Sequence, residues 1–135
     1  MTRQWDSTSL ARLQGIHPDL RRIMDAALQA APFPFRVTEG LRTVERQKHL
    51  VAIGASTTMR SRHLTGHAVD IIPLVDLDRD GTIEAEEMYH WPLYHQLAPL
   101  VKTAAKGLGL VIEWGGDWKS FKDGPHWQLP WGAYP

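Results

Sequence analysis

The chain has no cysteine. Disulfides and thiolate ligands are excluded, so any transition metal must sit on His, Asp or Glu. There is no excess of either charge: 15 Lys plus Arg balance 15 Asp plus Glu. Such a balance gives no steering toward nucleic acid or an anionic membrane, and neither is expected as a partner. No apolar run approaches the roughly 20 residues of a membrane span, so no membrane insertion is expected. The opening stretch, MTRQWDSTSLARLQG, lacks the apolar core of a signal peptide. Synthesis in the cytoplasm is therefore expected, with some other agent providing release if the protein works outside. One motif is also incomplete. His63 and His67 in SRHLTGHAVD have the spacing of the helical zinc motif H-E-x-x-H, but no Glu follows His63 and Gly66 interrupts the run.

What is present suits one domain with one core: 135 residues, 43% of them apolar. Ser7, Thr8 and Ser9 offer N-caps for a short helix through Leu10 and Leu13, ending near Gly15. His17-Pro18-Asp19 opens a second helix, with Leu20, Ile23, Met24, Ala27 and Leu28 at the helical period. Pro32 and Pro34 stop it. Phe35 to Glu39 alternates as a strand does and ends at Gly40. Thr43 opens a helix through Val44, Gln47 and Leu50 to Gly54, followed by a polar loop to Arg62. Ala68 to Ile72 reads as a buried strand. A helix is expected from Pro92 to Lys106, with Leu93, Leu97, Leu100, Val101 and Ala104 on one face. Leu110 to Trp114 and His126 to Leu129 read as strands about a Gly-rich aromatic turn. The strands are short and lack regular crossover units, which predicts an α+β fold with a small, mostly antiparallel sheet.

Residues 76 to 87 fit the calcium-loop pattern D-x-D-x-D-G-x-I-x-x-x-E. Asp76, Asp78 and Asp80 supply carboxylates, and Gly81 makes the sharp turn. Thr82 would offer its carbonyl, Glu84 a water-bridged contact, and Glu87 the bidentate carboxylate. A strand and Pro73 precede the loop instead of a helix. It therefore reads as a single calcium loop inserted at 76–87, and calcium is an expected second cofactor. The bland alternative is a solvated acidic loop.

Gly66 and the β-branched run after it make residues 63 to 66 a turn leading into a strand. His63 and Asp70 can converge in that geometry. A third ligand must come from far along the chain, among His17, His49, His90, His95 and His126. His126 is the most suggestive, because Asp123-Gly-Pro-His126 is a turn into a strand with a carboxylate three residues earlier. Two His and one carboxylate, with a position left for water, make a catalytic zinc set, and the extra carboxylate would be the base. Glu113 is a rival base, and Asp117 is expected to brace the Gly-Gly turn.

Ser61-x-His63-x-x-Gly66-x-Ala68-x-Asp70, followed by Asp123-x-x-His126, resembles the zinc peptidases of the D-Ala-D-Ala carboxypeptidase and L-alanyl-D-glutamate endopeptidase group. The likeness is strongest to phage endolysins. It extends to His17-Pro18-Asp19-Leu20, to Val37-Thr-Glu39-Gly40-Leu-Arg42-Thr-x-x-x-Gln47 and to Trp114-Gly-Gly-Asp117-Trp118-x-x-Phe121. The resemblance implies a hedgehog/DD-peptidase-like fold, zinc on the positions of His63, Asp70 and His126, and a catalytic carboxylate at Asp123. It implies that Arg42 stabilises substrate or the developing oxyanion. Ser61 would then bond the peptide, and Trp114, Trp118 and Trp127 would wall the cleft. Asp at position 123 is similar to the endopeptidase branch. The acidic loop is a departure from relatives with a shorter connection. The expected protein is a monomeric endolysin that cuts the L-alanyl-D-glutamate bond of bacterial peptidoglycan, made in the host cytoplasm and acting after membrane permeabilisation. Rival readings are a D-alanyl-D-alanine carboxypeptidase or dipeptidase, and a non-catalytic calcium-dependent binding domain on the same fold.

Overall fold

The computed structural model describes residues 2–135. Helix α1 (Ser7–Arg12) is followed by α2 (Pro18–Ala30), β1 (Phe35–Glu39) and α3 (Val44–Ala52). A 3-10 turn (Arg62–Thr65) then leads into β2 (Ala68–Pro73). After the acidic loop come a short α4 (Ala85–Met88), the long α5 (Trp91–Gly107), β3 (Glu113–Trp114), a second 3-10 turn (Gly115–Asp117) and β4 (His126–Gln128). The strands form one sheet in the order β1-β2-β4-β3, and every neighbouring pair is antiparallel. The α+β architecture expected from the sequence is the one observed.

The helices begin where capping chemistry allows. In α1 the cap is Asp6, whose carboxylate accepts from Ser9 N–H at 2.8 Å, in place of the serines and threonine expected there. His17 caps α2: its Nδ1 accepts from Asp19 N–H, and Pro18 takes the first helical position, where no N–H is needed. Thr43 caps α3 as expected. Leu20, Ile23, Met24, Ala27 and Leu28 of α2 are all buried, and they meet Leu93, Leu97 and Val101 of α5 in the core. Leu100 and Ala104 of α5 are only half-buried. Strand β3 is two residues long instead of reaching back to Leu110.

Period-two alternation divides the sheet into two faces. Phe35 and Val37 of β1, Val69 and Ile71 of β2, and Trp127 of β4 join the helical core. Asp70 and His126, each one residue out of step with that set, lie directly opposite one another across β2 and β4. The pairing that buries Val69 against Trp127 thus also brings Asp70 and His126 together on the other face. Among the described residues no helix is long and apolar enough to cross a membrane.

Candidate metal centre and cleft

His63 Nε2, Asp70 Oδ1 and His126 Nδ1 form one cluster. The Asp70 oxygen lies 3.2 Å from the first nitrogen and 3.1 Å from the second. One ligand-capable atom from each residue lies within 4.8 Å of the others. Each ring is held from behind. His63 Nδ1 lies 2.8 Å from the Gly40 carbonyl, which can only accept, so this nitrogen donates there; Nε2 faces Asp70, donating to it when the ring is protonated and offering its lone pair to a metal when the ring is neutral. His126 Nε2 lies 2.7 Å from Gln128 Oε1. The Gln128 amide donates its Nε2 to Glu113 Oε2 at 2.6 Å, which fixes its oxygen toward His126. His126 therefore offers Nδ1. Such backing fixes the tautomer and orientation of metal-binding imidazoles.

Burial alone would raise the Asp70 carboxyl. Hydrogen bonds from His126 and His63, with the charge of both rings, outweigh it and hold Asp70 far below the usual carboxylate range. Burial likewise opposes charge on His126, but Asp70 wins and pushes that ring up. A buried oxygen that stays anionic between two oriented imidazoles fits a transition metal.

Two glycines place His63. The 3-10 turn is capped by Ser61, whose hydroxyl oxygen accepts from His63 N–H, and it ends at Gly66 with φ of 76°. A Cβ on Gly66 would lie 2.4 Å from the Gly15 carbonyl oxygen, so the turn packs directly on the α1–α2 link. A Cβ on Gly40 would lie 2.0 Å from the Arg12 carbonyl oxygen. That close approach brings the Gly40 carbonyl under His63. Arg42 N–H donates to the His63 carbonyl at 2.8 Å and closes the arrangement.

The cluster lies in a cleft of about 420 Å³ whose lining includes Glu39, Arg42, Ser61, Trp118, Phe121 and Asp123. Asp123 is half-buried. Burial pushes its carboxyl up, the Asp70 charge adds to this, and His126, His63 and Arg42 pull the other way. The Arg42 side chain is 8% exposed, and Nε donates to Glu39 Oε1 at 2.8 Å. Its other branch donates to Gln47 Oε1, and Gln47 donates in turn to Ser56 Oγ and the Thr58 carbonyl. The guanidinium is thus braced by two elements while lining the cleft. Trp118 stands over His126, with ring centroids 5.1 Å apart. Phe121, 75% exposed, sits on the rim with φ of 53°, a backbone geometry that strains a residue carrying a Cβ.

The model of the family described as phage L-alanyl-D-glutamate peptidase matches residues 1–128. The chain belongs to that family. It is accordingly a peptidase. The L-alanyl-D-glutamate peptidase of Escherichia phage T5 is 26% identical, over 99% of this chain and 94% of that one. The peptidase of the same name from Listeria phage A118 is 33% identical over 99% of this chain, which spans 45% of that longer protein. Among solved structures, the Serratia marcescens L-Ala D-Glu endopeptidase ChiX superposes with a TM-score of 0.83. It is 43% identical and matches over 99% of this chain and 95% of its own.

The structure brings together His63, Asp70, Asp123, His126, Arg42, Ser61 and Trp118 in one cleft. It moves others. Trp114 is 4% exposed, donates its Nε1 to the Gly124 carbonyl and stacks on Trp127 at 5.7 Å. Both rings belong to the core and not to the cleft wall. The reason is parity: Trp127 adjoins His126 on a strand and must face the other way, and Trp114 is its cross-strand partner. The Asp117 carboxylate accepts from Lys102 on α5 at 2.6 Å instead of bracing the Gly-Gly turn. Glu113, the rival base, bonds Gln128 and is not part of the cleft lining. His67 stays outside the cluster, with its Nδ1 at the Thr65 hydroxyl. The sequence reading missed Gln128, although its period-two relation to His126 places both on one face.

In the acidic loop, carboxylate oxygens of Asp76, Asp78, Asp80 and Glu87 lie within 4.8 Å of one another. Gly81 takes φ of 92°, as its place at the sharp turn requires. Glu87 Oε2 accepts from the N–H groups of Leu77 and Asp78, closing the loop onto α4. Glu84 lies outside the cluster. Its carboxylate accepts from the Thr82 hydroxyl, and it forms a reciprocal cap with Glu87 at the start of α4.

Proposed function

We propose that the chain is a zinc-dependent endopeptidase that hydrolyses the L-alanyl-D-glutamate bond of bacterial cell-wall stem peptides, with endolysin activity. The observation that carries this reading is the cluster of His63 Nε2, Asp70 Oδ1 and His126 Nδ1, whose rings are both tied back so that their lone pairs face one point. These three residues would hold the zinc. When bound, zinc supplies a Lewis acid suited to polarising a carbonyl and acidifying water.

The remaining roles belong to the chain's own side chains. Asp123 takes a proton from the attacking water at its carboxylate and delivers it to the leaving amine, a role worth roughly 100- to 10,000-fold. Arg42, braced by Glu39 and Gln47, offsets negative charge that develops on the scissile carbonyl oxygen, or pairs with a substrate carboxylate. Ser61 and Trp118, both in the cleft lining, contact the peptide. Asp76, Asp78, Asp80 and Glu87 form a calcium loop, with the Thr82 carbonyl and a water on Glu84 completing the oxygen set. The proposed protein acts as a monomer on peptidoglycan after the membrane has been breached.

Mass spectrometry of peptidoglycan digested with and without a chelator tests the assignment. New fragments with N-terminal D-Glu, absent in chelator, are expected. Released D-Ala would replace the endopeptidase reading with a carboxypeptidase.

A further inference from the structure

Glu113 and Gln128 have no place in the chemistry above, yet they are joined to it by an unbroken chain of hydrogen bonds. They are cross-strand partners at the β3–β4 pairing. Gln128 shares its face of β4 with His126, two residues away. Glu113 Oε2 accepts from Gln128 Nε2 at 2.6 Å, and Gln128 Oε1 takes the proton of His126 Nε2 at 2.7 Å. His126 Nδ1 then meets Asp70 Oδ1 at 3.1 Å. Both Gln128 and His126 are buried.

A glutamine amide can be turned over with little change in shape, and the reversed form presents N–H to the neighbouring ring. Reversal would drive His126 to protonate Nδ1, the nitrogen that faces Asp70. Glu113 forbids this, because a carboxylate accepts hydrogen bonds and cannot donate them. The acceptor at the end of the chain thus dictates which nitrogen of His126 is left bare. His63 obtains the same result from the fixed carbonyl of Gly40. His126 has a side chain behind it and needs a second one to hold that side chain in place.

We infer that Glu113 and Gln128 are positioning residues that hold His126 in the Nε2–H tautomer, and so set metal affinity at a site to which neither contributes a ligand. This rests on the zinc reading above. A plainer role exists for the same pair, because β3 is two residues long and the Glu113–Gln128 bond also ties it to β4. The two roles differ in what they predict. A strand tie affects folding stability and leaves the metal alone. A tautomer lock affects the metal, and it fails when the carboxylate at 113 becomes an amide that can also donate.

The test compares Glu113→Ala, Glu113→Gln and Gln128→Leu with wild type. Zinc affinity is measured by competition with a chromophoric chelator, the ligand geometry by the visible spectrum of the cobalt-substituted protein, and stability by melting of the metal-free protein. Glu113→Ala and Gln128→Leu are expected to bind zinc about 10- to 100-fold more weakly and to change the cobalt spectrum. Glu113→Gln keeps a hydrogen bond across the strands, but its amide can donate to a reversed Gln128 as well as accept from it, so it too is expected to bind zinc more weakly while melting close to wild type. If the variants keep wild-type affinity and spectrum, whatever their melting temperatures, the pair is only a strand tie and the inference is overturned. If wild type itself takes up no zinc, the zinc reading fails first and the inference falls with it.

Discussion

A single oxygen, Asp70 Oδ1, organises two imidazoles, one seven residues before it in the chain and the other 56 residues after it. Removing it would leave two buried rings without their shared anionic partner. Asp123 is different in kind. It is half-buried with its carboxyl pushed up, so a neutral amide of the same shape costs little there. Asp123→Asn is therefore expected to fold and to bind zinc as wild type does. Its cleavage of peptidoglycan should fall by roughly 100- to 10,000-fold, because an amide cannot take the proton. Lysis at near wild-type rates, measured beside zinc content, would remove Asp123 as the base.

The elements that matter to the site are short, and they hold by local chemistry more than by length. The 3-10 turn carrying His63 depends on Gly66, which combines φ of 76° with a carbonyl oxygen 2.4 Å from where a Cβ would sit. Gly66→Ala adds left-handed backbone strain to a steric clash, for a loss on the order of 3 kcal/mol. Chemical denaturation would show it as a lower midpoint, and an unchanged midpoint would contradict the packing described. Helix α1 carries a pH signature. Burial would raise the Asp6 carboxyl, but hydrogen bonds from Ser9 and Arg36 hold it below its ordinary value. A folded pKa below the unfolded one contributes stability that is present above about pH 4 and lost as the pH falls through the folded value. Asp6→Asn keeps a capping oxygen without the charge. Its stability should decline less steeply below about pH 4, with a cost near neutrality of about 0.5 kcal/mol for so exposed an ion pair. Melting curves across that range would reveal identical slopes if Asp6 played no part.

Over the whole molecule, the acidic loop and the cleft are joined by β2. The strand that carries Asp70 ends at Pro73, and the carboxylate cluster begins at Asp76. Glu87 ties the loop to α4, which leads directly into α5 of the core. Calcium held by this loop would therefore stiffen the exit of the strand that carries Asp70. Titration of calcium into the zinc-loaded enzyme is expected to raise both melting temperature and activity. If neither moves, the coupling is absent.

Much of this was legible in residue order. Helical period exposed α2, and alternation exposed β1, because each depends on contacts that recur every few residues. The turn-then-strand character of SRHLTGHAVD rests on Gly66 and the β-branched run, both local signals, and these point to His63 and Asp70. His126 stood out among several distant histidines because it follows a turn into a strand with a carboxylate three residues earlier, and the motif likeness pointed the same way. Register between β2 and β4 then set it opposite Asp70, since strand pairing is a long-range choice made by burying Val69 and Trp127. The same register sent Trp114 and Trp127 into the core, where an aromatic-rich stretch had suggested a cleft wall. It also joined Glu113 and Gln128 behind the site. Residue types and local spacing carried the chemistry of the ligands. Their facing, their tautomers and the support behind them came from which strand lay beside which, a matter of packing between segments far apart in the chain.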